Sequence, residues 1–505
     1  MISFIDRLKM GYTAFREAFL TSSATDTDGW SSLDARRLRY SVLWAQYEQT
    51  SYRDVHQFAT AMRKDYALYK YIRPVYNPAY RLGEFWKARL FGGLLDPEAG
   101  PEGAIPIVTE NEALRAAIAE LWKWSRWSVR KDILSVRGAI LGDAVIQVVD
   151  DVSRGRVYLD LLHPGILESV DKDPFGNVKG YVISEVVEHP ENQMQTADYR
   201  EEVTRQGDSV VYETFLNQVP YAWPDNLDRS GRPVSMWSEP YGFVPLVVIQ
   251  HNDVGLEWGW SELHPIRAKI QEVDAIASQL GDHVRKTIDP VWLMKGIKQS
   301  TLTVTGASDT ADTDRPAPGR EELKALWGVP EGGGAEAMVA SMDLASVLEH
   351  LQSLLSEIER DVLELSSDIH TASGDASGRA LRTARQPVAS KVEQRRANYD
   401  AAVVAAHGMA LAIGGFRGYN EYSGFNLDSY AKGDLEHSIA ERPVFNEDPL
   451  DKIEIDTAFW TAASAAVAAG IPLESYLREA GWGDDRIAAL KIASVEKEPN
   501  DAESD

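Results

Sequence analysis

The sequence predicts an α+β protein built from several domains, on three observations. A chain of 505 residues is longer than one hydrophobic core normally accommodates. Between residues 136 and 250, short apolar runs alternate with glycine, asparagine and Asp-Pro turn signals, a pattern typical of β-strands. After residue 261, apolar residues recur every three or four positions along three long stretches, which indicates helices.

Composition narrows the class of protein. The chain carries 77 acidic and 52 basic residues, a net charge of -25, whereas a protein that grips DNA by neutralising phosphates has a basic surplus. The acidic surplus fits either of two kinds of protein. One is a soluble protein whose molecules repel each other, and the other is a protein with a surface that faces DNA without adhering to it. The chain has no cysteine, which excludes disulfides and thiolate metal sites and fits a reducing cytoplasm. It has neither a long uninterrupted apolar run nor a signal-peptide pattern, so we expect no membrane partner.

Residues 1–135 have a helical and aromatic pattern. The segments 58–71 and 80–90 mix apolar and basic positions at helical spacing. The segment 114–127 contains Trp122, Trp124 and Trp127. Aromatic stripes of this kind are more often core or subunit contacts than ligand sites, and we expect one of those two roles here.

Residues 136–250 form the predicted β-rich part. The expected strands are 144–149, 157–161, 180–183, 210–215 and 244–249. Residues 171–176 resemble the start of a calcium loop, but Phe175 and Val182 occupy positions where oxygen ligands are needed. We therefore predict a hairpin turn at this position.

Two long amphipathic helices follow, separated by an insert. Ser261 can cap the first, over 261–288, and Asp289-Pro290 ends it. The second helix runs over about 341–366 and has one face rich in leucine and valine. Its charged residues are acidic except for Arg360. The insert, 289–340, contains two strand-like runs, 291–294 and 301–305.

A small polar loop, 367–377, connects the second helix to a third, 378–413. Arg379, Arg382 and Arg385 are spaced three apart and so share a face of the third helix. Pro387 is expected to kink this helix, and Gly414-Gly415 to end it. A small helical unit follows, with helices at 453–469, 473–480 and 484–492, and an acidic tail that we expect to be disordered.

A search for catalytic and cofactor motifs is negative. The sequence contains no GxxxxGK[ST], GxGxxG, GxSxG or HExxH pattern. His251 and His283 are isolated histidines, which are usually satisfied or exposed imidazoles. We therefore expect no enzyme activity, cofactor or metal. An acidic, tryptophan-rich hydrolase acting on carbohydrate through two carboxylates remains an open alternative.

The stretch 241–413 resembles the portal, or head-to-tail connector, proteins of long-tailed double-stranded DNA bacteriophages. The resemblance rests on Gly242-Phe-Val-Pro-Leu-Val-Val-Ile-Gln-His251, Gly259-Trp-Ser-Glu-Leu263, Asp289-Pro-Val-Trp-Leu-Met-Lys-Gly296 and Ser377-Gly-Arg-Ala-Leu-Arg382. Leu141-Gly-Asp-Ala144 and His163-Pro164 also look like the family's N-terminal part. The specific feature is the order of helix, insert, acidic helix, polar loop and proline-containing helix.

The resemblance implies a portal fold with named parts. These would be a wing (1–260), stem helices (261–288 and 341–366), a small α/β clip (289–340), a tunnel loop (367–377), a kinked wing helix with a return segment (378–445), a helical crown (446–494) and a tail (495–505). Copies, usually twelve, would assemble as a ring at one capsid vertex of the virion, after assembly in the host cytoplasm. Double-stranded DNA would be packaged and ejected through it. The implied partners are the terminase large subunit, a head–tail adaptor, and the major capsid or scaffolding protein; another virion or tail structural role is the remaining alternative.

The resemblance also assigns candidate site residues. Those of the tunnel loop that would face DNA are His370, Thr371, Ser373, Gly374, Asp375 and Ser377. Those of the acidic lumen are Glu349, Glu357, Glu359, Asp361 and Glu364. Acidic side chains there would centre a duplex by repulsion that salt screens over about 10 Å. We expect Arg379, Arg382 and Arg385 to contact either acidic residues of a neighbouring subunit or phosphate.

Overall fold

A computed structural model describes residues 33–52, 72–92, 105–288, 291–295, 334–338, 343–366 and 378–480, apart from 191, 225, 227–231, 441 and 446–448. Several predicted segments lie outside the described residues: 58–71, the strand 301–305, the tunnel loop 367–377, the helix 484–492 and the tail. The architecture is α+β, as predicted.

The described helices are α1 (Leu33–Tyr47), α2 (Pro78–Arg89), α3 (Glu112–Ser125), α4 (Trp127–Leu141), α5 (Arg267–Ile288), α6 (Leu344–Asp361), α7 (Gly378–Arg417), α8 (Leu427–Lys432), α9 (Pro449–Ala468) and α10 (Leu473–Glu479). The described strands are β1 (Ile107–Val108), β2 (Asp143–Asp151), β3 (Arg156–Leu162), β4 (Leu167–Lys172), β5 (Val178–His189), β6 (Asn192–Gln206), β7 (Ser209–Leu216), β8 (Val219–Pro220), β9 (Met236–Glu239), β10 (Leu246–Gln250), β11 (Val291–Lys295), β12 (Gly334–Met338) and β13 (Ser438–Ile439).

The strands form antiparallel sheets. One has the order β10-β2-β3, and a larger one runs β4-β5-β6-β7-β8 with β9 also paired to β7. The pairs β1–β13 and β11–β12 stand apart from both. The turn between β4 and β5 is the predicted hairpin turn: the Asp173 carboxylate accepts hydrogen bonds from the backbone N–H groups of Phe175 and Asn177, both at 2.8 Å.

Helix α7 lies at the centre of the main core. Its C-terminal half, with Val403, Ala406 and Ala410 buried, packs on β2, β3 and β10 together with α3. By length and composition this helix could cross a membrane, but about two thirds of its apolar window is buried inside the fold, as in a core helix. Of the two roles expected for the tryptophan-rich segment, the structure shows mainly core: Trp122 and Trp127 are buried, and Arg156 stacks on the half-buried Trp124.

The end of α7 differs from the prediction. The helix continues through Gly414-Gly415 to Arg417, and Gly418 follows with a left-handed φ of 74°. The two glycines instead allow close packing, because a Cβ at Gly414 would lie 2.3 Å from the Tyr422 ring and one at Gly415 would lie 2.0 Å from the Phe425 carbonyl oxygen. Pro387 lies inside this helix; the kink stays a prediction.

The two predicted stem helices are shorter than expected. The first begins at Arg267 instead of 261, because Pro265 disfavours helical backbone at His264 before it. Ser261 caps a turn there, accepting a hydrogen bond from the Leu263 N–H at 3.1 Å. The second ends at Asp361, and Leu363–Leu365 form a 3-10 turn. Near the C-terminus, α9 and α10 correspond to the first two helices predicted for the crown.

Candidate functional site: the α5–α6 hairpin and its junction with α7

Helices α5 and α6 form an antiparallel hairpin, which we call the stem hairpin. In the first turn of α5, the Lys269 ammonium lies 3.1 Å from a Glu357 oxygen and 2.9 Å from an Asp361 oxygen, both at the end of α6. The start of one helix therefore lies beside the end of the other. At the opposite end the chain continues into β11 and returns through β12, which pair from Val291–Met338 to Lys295–Gly334.

The apolar stripe of the stem hairpin is covered at one end only. Near Lys269, Ile270 and Val273 of α5 pack with Ile358 of α6, and all three are buried. Toward β11 and β12 the same stripe is uncovered, with Val284 41%, Leu344 42% and Leu348 47% exposed. The chain itself provides no cover for this far end among the residues that the structure describes.

The predicted lumen acids do not share one face. At about 100° per residue, Glu349 lies opposite the apolar stripe of α6, whereas Glu357 and Glu359 flank it on different sides. Glu349, Glu357 and Asp361 are exposed and Glu359 is partly exposed. Glu364 is different: it is buried in the 3-10 turn, so it cannot line an open channel in this conformation.

Three of the segments that carried the family resemblance, 141–144, 242–251 and 259–263, meet at the base of the stem hairpin. The buried Asp143 carboxylate accepts hydrogen bonds from the Gly259 N–H and from the Tyr40 hydroxyl, both at 2.8 Å. Gly142 has a φ of 96°, and a Cβ on it would lie 2.5 Å from the Gly259 carbonyl oxygen. Burial raises the pKa of Asp143 to about 6, although these hydrogen bonds oppose the shift.

One face of α7 binds this base through polar side chains. The Lys391 ammonium lies 2.8 Å from Glu262 Oε2 and 2.7 Å from Glu364 Oε1. One turn further on, Arg395 Nε lies 3.0 Å from Glu262 Oε1. After another turn, the Tyr399 hydroxyl lies 2.9 Å from His251 Nδ1, whose ring also contacts Glu262 through Nε2 at 3.1 Å.

The electrostatics of this junction favour a closed ion cluster. Burial opposes ionisation of Glu262, but the hydrogen bond with His251 and the positive charge of Lys391 outweigh it and lower the pKa of Glu262. Burial also opposes the charge on Lys391, yet the two carboxylates raise its pKa. Burial lowers the pKa of His251. Of the two states expected for this histidine, satisfied or exposed, the structure shows a buried and hydrogen-bonded imidazole. Glu262 and Glu364 therefore share one ammonium inside the protein, which does not fit two carboxylates acting on a bound sugar.

Several predicted site residues cannot be placed. The tunnel-loop candidates, His370 to Ser377, lie outside the described residues. Arg379 and Arg382 lie in the first turns of α7, and only the helical backbone is described there. Arg385 contacts its own chain: its guanidinium lies 5.0 Å from the centre of the Phe445 ring, and that of Arg89 lies 5.1 Å from the same centre.

The residues of the junction were missed by sequence reasoning. Lys391, Arg395 and Tyr399 recur every four positions, a spacing that indicates one helix face but not what that face binds. Among the residues described, no group of histidines, aspartates and glutamates is arranged to hold a metal ion.

Comparisons with known proteins find a distant structural likeness. No protein-family model matches the chain, and no curated protein is similar to it. Among solved structures, a chain from the neck of an empty GTA particle, computed with C6 symmetry, is similar over 81% of this chain and 94% of that one. The two are 13% identical with a TM-score of 0.41, a likeness too distant to define a family or a function.

Proposed function

We propose that this chain is the portal subunit of a tailed bacteriophage. Copies would close into a ring at one capsid vertex, through which double-stranded DNA is packaged and later ejected. The ring would also dock the terminase motor and the head–tail adaptor. This proposal combines the sequence resemblance with the geometry of the stem hairpin.

The observation that carries the proposal is the half-covered apolar stripe of the stem hairpin. The stem hairpin, an antiparallel pair of amphipathic helices, buries its apolar stripe at the end near Lys269. At the end near β11 and β12, the side chains of Leu344, Leu348 and Val284 are partly exposed. Exposed apolar surface of this kind marks a contact with another molecule. Neighbouring copies arranged around an axis would supply that contact, which makes assembly part of the stability of the protein.

The charge of the chain suits a ring that lets DNA slide. Each phosphate neutralised by lysine or arginine strengthens attachment through counterion release, so a basic channel would hold the duplex in place. The exposed charges of α6 are mostly acidic, and the chain has a net charge of -25. A surface that repels phosphate would centre the duplex without binding it.

The test is the assembly state of the purified full-length chain. We expect negative-stain electron microscopy to show closed rings with a central opening, and native mass spectrometry to show one dominant high-order oligomer. A monomer that persists across a wide concentration range would contradict the proposal. Compact oligomers without an opening would contradict it as well and would favour a different structural role in the virion.

A further inference from the structure

We propose that Lys391 is a positioning residue whose single ammonium fixes both helices of the stem hairpin to α7, and thereby sets the orientation of the hairpin relative to the rest of the fold. Lys391 would play this role within one chain, whether or not copies of the chain form a ring.

The geometry of the partners supports this role. Glu262 lies just before α5, and Glu364 lies in the 3-10 turn just after α6, so the two carboxylates belong to opposite arms of the hairpin. Both lie within 2.8 Å of the same Lys391 nitrogen. Their side chains are 5% and 0% exposed, so solvent cannot replace the ammonium as a partner.

The buried charges explain why the contact between the stem hairpin and α7 fixes one orientation. Apolar packing at the base, through Leu263, Ile266 and Val362, excludes water but tolerates sliding, because the hydrophobic effect has no preferred direction. A buried carboxylate, in contrast, needs its cation at hydrogen-bonding distance. Burial and the neighbouring charge of Glu262 already raise the pKa of Glu364. Without the ammonium this carboxyl becomes a neutral acid, and the arm that carries it loses its ionic attachment to α7.

The partners differ in how far they depend on Lys391. Glu262 also contacts Arg395 of α7 and His251, which directly follows β10, so its arm keeps a second attachment when Lys391 is lost. On the other arm, Arg81 donates a hydrogen bond to the Leu365 carbonyl oxygen at 3.0 Å, which attaches the turn to α2 and not to α7. The arm that carries Glu364 should therefore loosen from α7 more than the arm that carries Glu262.

The natural absence of cysteine makes orientation directly measurable. Spin labels at Lys179→Cys on β5 and Glu349→Cys on α6, both exposed positions, report the distance between the large sheet and the stem hairpin. Labelled full-length chain is diluted with unlabelled chain so that only distances within one chain are measured. We expect one narrow distance distribution in the parent, at least a twofold broadening or a shifted mean in Lys391→Met, and no change in the control Lys87→Met, whose lysine pairs with Glu84 on the surface.

Hydrogen exchange of the single carboxylate variants tests the same idea without removing the lysine. We expect Glu364→Gln to accelerate exchange in 358–366 about tenfold with little effect on 262–270, and Glu262→Gln to do the reverse. Strands β6 and β7 serve as the internal reference. An unchanged distance distribution in folded Lys391→Met would overturn the proposal. So would equal acceleration of both segments, or of the whole chain, in either glutamine variant.

Discussion

The Trp122 indole N–H donates a hydrogen bond of 2.8 Å to Nε2 of His407, and this contact fixes the tautomer of the histidine. His407 must then carry its proton on Nδ1, which lies 3.1 Å from His437 Nε2. By the same logic His437 carries its proton on Nδ1, 2.9 Å from the Leu435 carbonyl oxygen. A directional chain of hydrogen bonds thus links α3, α7 and the segment before β13 through two neutral imidazoles.

This chain predicts a loss of stability in acid. Burial lowers the pKa of both His407 and His437, so as the pH falls below about 6.5 the unfolded chain takes up protons that the folded chain does not. Each histidine that stays neutral should cost about 1.4 kcal/mol at one pH unit below that value. Urea unfolding at pH 7.5 and at pH 5.5 measures the difference.

Comparison of variants isolates the contribution of the two histidines, His407 and His437, to the pH dependence of stability. Asp143 acts in the opposite direction, because its pKa is raised to about 6 and the folded state gains protons below that pH. We therefore expect His437→Gln to lose less stability on acidification than the parent, and His350→Gln, at an exposed position of α6, to behave like the parent. An identical pH dependence in His437→Gln would contradict the assignment of His437 as a neutral imidazole in the folded chain.

Gly138 on α4 is predicted to be irreplaceable. A Cβ at this position would lie 1.6 Å from the Tyr399 hydroxyl oxygen and 3.3 Å from His251 Nδ1, inside the junction. Overpacking of this kind costs at least about 1–3 kcal/mol, so Gly138→Ala should unfold at clearly lower denaturant concentration. The matched control is Gly281→Ala on α5, where a Cβ meets nothing within 4 Å and alanine should stabilise the helix by about 1 kcal/mol. Equal effects of the two substitutions would refute the packing argument.

The uncovered stripe predicts that assembly depends on leucines of α6. Leu348→Glu places a charge where an apolar contact between copies is expected, and should raise the concentration needed for assembly about tenfold or more. The melting temperature of the dissociated chain should hardly change, since Leu348 is 47% exposed. Sedimentation velocity measures the first effect and circular dichroism the second. Ser353→Glu, on the opposite side of α6, is the control; if it disrupts assembly to the same degree, the stripe is not the contact.

The acidic surface predicts that an added cation will make the protein adhere to DNA. Glu349→Lys changes an exposed charge opposite the apolar stripe and repeats it in every copy of an assembly. We expect binding to a short duplex to rise and to weaken steeply between 50 and 200 mM salt, as counterion release requires. Fluorescence anisotropy measures it. Glu188→Lys, at an exposed position of β5, should bind no better than the parent if α6 faces the duplex.

The loop 367–377 yields a prediction from sequence alone, since it lies outside the described residues. Gly374→Pro restricts the backbone of a small polar loop that would act as a valve around DNA. We expect assembly to be unaffected and packaging or retention of DNA to fall. Assembled particles that package normally would exclude the valve assignment.

The sequence by itself determined the class of the fold and the positions of many of its elements. Periodicity located α5, α6 and α7, and turn signals located β2, β3, β5, β7 and β10, because both depend on spacing along the chain. The polar strand β6 was missed, because it has no apolar run. The sequence misplaced the start of α5, at Arg267, and the end of α7, near Gly414-Gly415. At these positions, local proline and glycine signals act together with contacts from other parts of the fold.

Tertiary structure alone decided what the polar residues bind. Glu364 belongs to an acidic run and looked like a surface residue, yet it is buried because Lys391, on a different helix, supplies its charge partner. Likewise, the motif around Gly142 is far along the chain from those around His251 and Gly259, and it meets them only when α4 packs against the segment between β10 and α5. Spacing along the chain reports local geometry, whereas a buried charge is stable only with a partner that the whole fold delivers.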